Sequence, residues 1–176
     1  MKIDWTIFDW EEIFGTVVST EGFKRAQTRG IRAEIIELAI EKYSKKQLKY
    51  VGVNDKLGHD FVTTSIDNLV RLECKCQDKL FQPKANKTKQ IILKNFAGRT
   101  IDKLDQKYDY MLMIDTAKMK AGYASFDATM KQHKINDANV TIQVYHDDIT
   151  WVCSDIVPKP KPDLVAALNT LIKDLI

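Results

Sequence analysis

Cysteine is scarce, with only Cys74, Cys76 and Cys153 in 176 residues. So few thiols do not make a disulfide scaffold, and they suit a reducing compartment. Cys74 and Cys76 stand too close together for an ordinary zinc pair, and no histidine cluster accompanies them, which argues against a metal–thiolate centre. No apolar run approaches the length of a membrane-spanning helix, so no membrane partner is expected. The opening stretch, MKIDWTIFDWEEIF, has acids and tryptophans where a secretion signal needs an unbroken apolar core, and the expected location is cytoplasmic. Internal repeats and low-complexity segments are lacking. So are a phosphate-cradling glycine loop, a G-x-x-x-x-G-K-[ST] pattern, and any Cys–Arg or Ser–His arrangement, which leaves a phosphatase or nucleotide hydrolase without support. A formal net charge of +3 makes no case for nucleic acid by itself.

The length fits a single domain, residues 1–176, with a sizeable core. The clearest helix is TRGIRAEIIELAIEKYSKK, where Ile31, Ile35 and Leu38, with Ile36 and Ala39 beside them, make an apolar stripe at helical spacing. Thr28 is the expected N-cap, and Lys45 and Lys46 suit the negative end. Three strand patterns follow, LKYVGVN, HDFVTTSI and LVRLECKC, separated by the turn stretches NDKLG and DN. They predict a three-stranded meander packed on that helix. A polar loop broken by Pro83 leads to a second predicted helix from about Thr88, with Ile91, Ile92, Asn95 and Phe96 on one side. YDYMLMIDTA predicts a buried strand, FDATMKQHKI a short helix, and NVTIQVYHDDITWVCS a hairpin turning at HDD. VPKPKPD is extended, since proline disfavours helix at the residue before it. Asp163 then caps a terminal helix whose stripe is Leu164, Leu168, Leu171 and Leu175. Trp5, Trp10 and Trp151 are read as core or interface anchors. The whole order (helix, three-strand meander, helix, strand, C-terminal hairpin and helix) gives an α/β class with a mixed β-sheet flanked by helices.

Chemistry concentrates in LECK. Glu73 and Lys75 are one residue apart, so a strand's period of two points both to the same side. Asp60 opens the strand before. If the two strands are antiparallel neighbours joined at Asp67–Asn68, Asp60 faces the neighbourhood of Lys75 and Glu73. Two carboxylates and an ammonium then converge at one end of a hairpin. Mg²⁺ prefers hard oxygen ligands, takes few from protein and keeps several waters. It can polarise a phosphoryl oxygen and lower the pKa of a bound water, with an adjacent lysine stabilising developing charge. An exposed cross-strand ion pair is the bland alternative for any acid-x-Lys triplet. Here the triplet follows an apolar strand, Asp60 precedes it, and a helix with Glu34, Glu37 and Glu41 could add a third carboxylate.

The combination of GHDF, ECK and the order of elements resembles the PD-(D/E)XK nuclease superfamily, which includes most type II restriction endonucleases. The resemblance spans roughly residues 28–115 and implies a restriction-endonuclease-like catalytic core there, with 116–176 as a DNA-recognition and dimerisation extension. It implies that Asp60, Glu73 and the backbone carbonyl of Cys74 bind Mg²⁺, with Mn²⁺ as a substitute, and that Lys75 assists the attacking water. It further implies a helix glutamate acting through a metal or a bound water, Glu34 in RGIRAE, with Glu37 as the fallback. His59 stands where the motif has proline, a departure that leaves the ligands untouched.

Between Lys79 and Arg99 lie Lys84, Lys87, Lys89 and Lys94 and no acidic residue. A lysine run is commonly a solvated face, but this one follows the proposed active strand. Lys84, Lys87 and Lys89 are therefore candidate phosphate contacts that position a duplex without reading its sequence. Lys118, Lys120 and Tyr123 form a second candidate cluster. Gln132, His133 and Lys134 are base-edge candidates that could equally be plain surface. The resulting expectation is an Mg²⁺-dependent endonuclease on double-stranded DNA, a site-specific type II restriction enzyme acting as a homodimer. A structure-specific nuclease such as a junction resolvase, and a non-catalytic DNA-binding module, are the alternatives.

Overall fold

The computed structural model describes residues 3–23, 26–52, 58–65, 67, 69–78, 80, 81, 90–97, 108–136 and 139–175, with side chains for all of these except 26–29, 90–97, 132–136, 139–143 and 175. A short 3-10 turn, Trp5–Ile7, leads into helix α1, Trp10–Ser19. Asp9 caps α1 by accepting the Glu12 amide at 3.2 Å, and Glu11 and Glu12 complement the positive end of its first turn. The sequence pattern carries no expectation of this helix. Its centre holds Gly15 and Thr16, poor helix formers, and burial of Ile13, Phe14 and Val17 overrides that propensity. Helix α2, Ala26–Tyr43, begins two residues before Thr28, which therefore lies inside it and does not cap it. It gives way to Lys45 and Lys46, both left-handed at φ 54° and 65°, which turn the chain into β1, Leu48–Tyr50.

Strands β2, Phe61–Thr63, and β3, Arg71–Gln77, complete the expected antiparallel meander. The second predicted helix is overturned over Gln90–Ala97, which is strand β4. Its pairing with a later strand shifts register between Leu93 and Phe96. An irregularity of that kind breaks strict alternation, so a short apolar run takes on spacing that imitates a helix. Strand β5, Tyr110–Asp115, is the buried strand expected, and β6, Lys120–Ser125, returns beside it. Helix α3, Phe126–Met130, capped by Ser125, is shorter than predicted, because Gln132–Asn136 is strand β7. Strand β8, Asn139–Tyr145, pairs back onto β7. The HDD stretch is a 3-10 turn, His146–Asp148, joining β8 to β9, Thr150–Cys153. These two strands sit in different sheets, so the hairpin predicted around HDD is replaced by a crossing between sheets.

The larger sheet has the order β1-β2-β3-β5-β6-β9, with β3 and β5 parallel and the other pairs antiparallel; β4-β8-β7 forms the smaller. The fold is thus α/β, with a six-stranded mixed sheet flanked by helices. One face buries Leu72, Cys74, Leu112 and Ile114 against Phe14 and Val17 of α1 and Ile36 and Ile40 of α2. The other buries Met111 and Met113 with Leu80, Phe81, Val144 and Ile149. Alternation along β5 serves both faces at once, which is why it reads as an unbroken apolar run. Trp10 is buried and Trp5 stacks on Tyr123 at 5.1 Å, while Trp151 meets Phe81 edge-on at 4.7 Å. All three tryptophans are core anchors.

Helix α4, Pro162–Leu175, opens with proline at its first position, which places Asp163 in the first turn and not at the cap. Val165 and Ile172 are buried with Ile35 of α2, Leu168 packs partly against them, and Leu171 is 46% exposed. The predicted leucine stripe is therefore rotated. Two tethers just before the helix set that roll: the Lys161 ammonium meets Glu12 at 2.8 Å, and the Lys161 amide donates to the Ser19 hydroxyl. Among the described residues no helix is long and apolar enough to cross a membrane.

The same Pro-rich segment passes so close to α1 that a Cβ at Gly15 would lie 2.3 Å from the Lys159 carbonyl oxygen. In an open helix Gly→Ala stabilises by about 0.5–1 kcal/mol. Gly15→Ala should instead destabilise by about 1–3 kcal/mol, the usual cost of overpacking. Urea unfolding checks this, and a stabilised variant would mean the segment is not seated on α1.

Candidate active site

Phe61 pairs with Leu72 and Val62 with Arg71. Continuing this register one step places Asp60 opposite Glu73, two positions from the pairing with Lys75 expected at the centre of the sequence estimate. Parity is kept, so the facing side is unchanged. Beyond Asp60 the hairpin partner ends while β3 runs on to Gln77. The Asp60 amide donates to the Leu72 carbonyl at 2.8 Å, and its carboxylate Oδ2 accepts the Cys74 amide at 2.7 Å. A side-chain oxygen thus takes over the ladder bond where backbone pairing stops. Lys75 Nζ lies 3.1 Å from Glu73 Oε1 on the other side of the strand from the Cys74 and Cys76 thiols, whose sulfurs are 3.7 Å apart. The Glu73 side chain is only 3% exposed and that of Lys75 23%, so this is not the exposed pair of the bland reading.

Helix α2 brings a further acid near Asp60, on the side of β3 that carries Cys76. Glu37 is 7% exposed, with Tyr50 near it. Burial above all, then the Asp60 charge, hold its carboxyl well above the usual carboxylate range; the Tyr50 hydroxyl and the Lys75 ammonium pull the other way. Tyr50, on β1, is raised well above an ordinary phenol by burial first, then by Glu37, Glu34 and Asp60. Its hydroxyl therefore stays protonated and available as a donor. Glu34 is half-buried and acts on Tyr50 through its charge, so both helix glutamates lie at this end of the sheet, with Glu37 the more enclosed. Tyr50 had no place in the sequence-based site. Its available signal was the spacing to Gly52, an aromatic and a glycine on one side of a strand.

Polar clips bracket β3. At its start the Asp109 carboxylate accepts the Arg71 amide at 2.8 Å and its guanidinium at 2.9 and 3.2 Å. The Arg71 contact is the main reason that the Asp109 carboxyl is lowered, and nearby His59 adds to it. His59 thus sits by this clip as well as next to Asp60. At the far end Asp78 accepts from Arg32 of α2 at 3.2 Å and from the Thr116 hydroxyl. Buried Asp115 accepts the amides of Phe81, Ala117 and Lys118 at 2.8, 3.0 and 2.9 Å. Lys118 is exposed, with Nζ on the Phe81 carbonyl at 3.0 Å, at the end of the sheet where β3 and β5 both finish. The Lys120 ammonium lies 3.6 Å from the centre of the Trp151 ring. Lys84, Lys87 and Lys89 lie outside the described residues, as do Lys79 and Arg99, and the side chains of Lys94, Gln132, His133 and Lys134 are likewise outside them.

Asp60, Glu73 and Lys75 are therefore brought together, with Glu37 behind them. Among the described residues no three His, Cys, Asp or Glu side chains form a ready cation cage. Two carboxylates beside a strand backbone still fit a hard cation that takes few protein donors and keeps its waters. The thiols make no soft alternative: burial pushes Cys153 up to about 12, and the contact with Cys76 together with burial raises Cys74. No protein-family model, curated protein or solved structure matches this chain.

The Arg71–Asp109 clip makes a pH prediction. Asp109 is depressed in the folded state, so its contribution is present above the ordinary aspartate pKa and is lost as pH falls through the lowered value. Asp109→Asn should cost about 1–2 kcal/mol at neutral pH, with the difference from wild type closing in that acidic window. Thermal melts across pH test it; a difference constant with pH would refute the charge-based account.

Proposed function

We propose that the chain is an Mg²⁺-dependent endonuclease hydrolysing phosphodiester bonds in double-stranded DNA, site-specific in the manner of a small type II restriction enzyme and acting as a homodimer. The observation that carries this reading is the burial of the Glu73–Lys75 pair beside Asp60 at the place where β2 ends. Withdrawing an ion pair from water costs several kcal/mol per ion before its partner repays it. Stability gives little reason to keep such a pair at a sheet opening, whereas phosphodiester hydrolysis does.

Asp60 and Glu73, with the carbonyl of Cys74, would hold Mg²⁺ or Mn²⁺. When bound, the ion supplies positive charge to a phosphoryl oxygen and a water of lowered pKa. Lys75 carries fixed positive charge on the same face of β3, where it orients the attacking water and offsets charge developing on the phosphate. The hydrogen bond from the Cys74 amide fixes the Asp60 carboxylate against β3. Lys118 and Lys120, with Lys84, Lys87 and Lys89 of the basic segment, serve as phosphate contacts that seat the duplex.

Incubating plasmid or phage DNA with the protein, in Mg²⁺ and in EDTA, tests the reading. Discrete Mg²⁺-dependent fragments are expected. A smear would replace site specificity with nonspecific cutting, cleavage confined to added four-way junctions would make the chain a resolvase, and no cleavage would leave a DNA-binding module. Lys75→Ala should lower the cleavage rate about 10²–10³-fold, the size of effect seen when one electrostatic donor is removed from a catalytic centre. Because the buried Glu73 carboxylate loses its ammonium, the melting temperature should fall as well, so the assay is run where circular dichroism shows the variant folded; undiminished cutting would remove Lys75 from the site.

A further inference from the structure

We propose that Cys74 and Cys76 are a reversible redox pair: a small disulfide oxidises them to an intrastrand bond that puckers β3 at Lys75 and switches the site off. The bond itself stands apart from the nuclease reading; the loss of cutting rests on it. Both cysteines point to one side of β3, and their sulfurs lie 3.7 Å apart. Cys74 is 4% exposed, while Cys76 is only partly buried and is the sulfur that a reagent meets first. Toward β5 both residues are held in the ladder, opposite Leu112 and Ile114. Toward β2 the ladder has already ended at Phe61–Leu72, so the strand has room to bend on that edge. Cys153 does not compete for either sulfur. The pairings Cys76–Ile114, Ile114–Ala121 and Ala121–Cys153 place it three strand spacings from Cys76, about 14 Å away.

The exchange proceeds in two steps. Cys76 Sγ, having given its proton to water, attacks one sulfur of the small disulfide; a mixed disulfide forms, and the first small thiolate leaves and takes up a proton. Cys74 Sγ then loses its proton and attacks Cys76 Sγ, and the second small thiol departs. The protein gives up two electrons and two protons, and the reagent becomes two thiols. The second step is intramolecular and needs the sulfurs to close from 3.7 Å to about 2.05 Å. Two residues of strand span about 6.7 Å, near the upper limit of about 6.8 Å between bridged Cα atoms. The bond is therefore strained, and a strained bond is readily reduced again. That strain falls on Lys75, the residue between. Its ammonium is drawn from Glu73 Oε1, 3.1 Å away in the reduced protein, and the Cys74 amide from Asp60 Oδ2, 2.7 Å away. Small apolar filling is the other use for two such cysteines, and oxidation separates the two roles.

The full-length protein is equilibrated with reduced and oxidised glutathione in graded ratio, quenched in acid and alkylated, and its mass is measured. A loss of two hydrogens is expected, reversed by dithiothreitol. Peptide mapping should place it in residues 72–79, which hold Cys74 and Cys76 and not Cys153. The oxidised protein should melt at a lower temperature by circular dichroism. It should also cut DNA about 10²–10³-fold more slowly, the effect of taking the Lys75 charge out of place. Cys76→Ser should cut at the wild-type rate and lose its response to oxidised glutathione; if it folds poorly, the wild-type mass, melt and cutting rate decide alone. Three results would overturn the inference: no intrastrand bond in any ratio that leaves the protein folded, a mixed disulfide that stays on Cys76, or an oxidised form that melts as the reduced form does or cuts as fast as an active reduced form. An intrastrand bond with the lower melt, in a protein whose reduced form cuts no DNA, would keep the redox pair and overturn the nuclease reading alone.

Discussion

Strand β3 is paired unequally on its two sides. Toward β2 the ladder ends at Phe61–Leu72, whereas toward β5 it continues in parallel as far as Gln77–Asp115. The parallel side holds the strand rigid, and the short antiparallel side leaves part of its edge open. An open edge must satisfy its amides by other means, since an unpaired buried amide costs about as much as a lost hydrogen bond. Asp60 meets that demand at Cys74, and in doing so is fixed where Glu73 and Lys75 emerge. The candidate site follows from a mismatch in strand length.

The ends of this pairing are secured by polar contacts of a different kind. Arg71 and Asp109 join the starts of β3 and β5, and Asp78, Thr116 and Arg32 join their ends to α2. Asp115 is as buried as the site acids, yet three amides surround it, which is the pattern of a carboxylate that organises a turn. Glu37 and Glu73 have other side chains beside them, a phenol and an ammonium, that stand at the sheet opening. Burial alone does not set Asp115 apart from Glu37 and Glu73. The identity of the groups beside them does.

Local pattern reached far in the first half of the chain. Ile35, Ile36 and Ala39 marked α2, and the alternation around Phe61 and Leu72 marked the meander, because each element buries one regular face against the other. It failed where the local rule is broken by pairing at a distance. The register shift between Leu93 and Phe96 disguised β4, and the HDD turn joins strands of two sheets, which no adjacent residue reveals. Helix α1 was hidden by Gly15, a residue present because Lys159, far along the chain, passes against it.

From the sequence alone came the α/β class, the parity that puts Glu73 and Lys75 on one face, and the choice of Asp60 as their partner, since a period of two is a property of any strand. Tertiary structure decided the rest of the arrangement. It buried Glu73, set Glu37 deeper than Glu34, laid the Tyr50 ring across Gly52, and turned Val165 and Ile172 of α4 inward while Leu171 stayed exposed. Each of these depends on which surfaces meet, and a helix offers several faces of similar composition until a neighbour selects one.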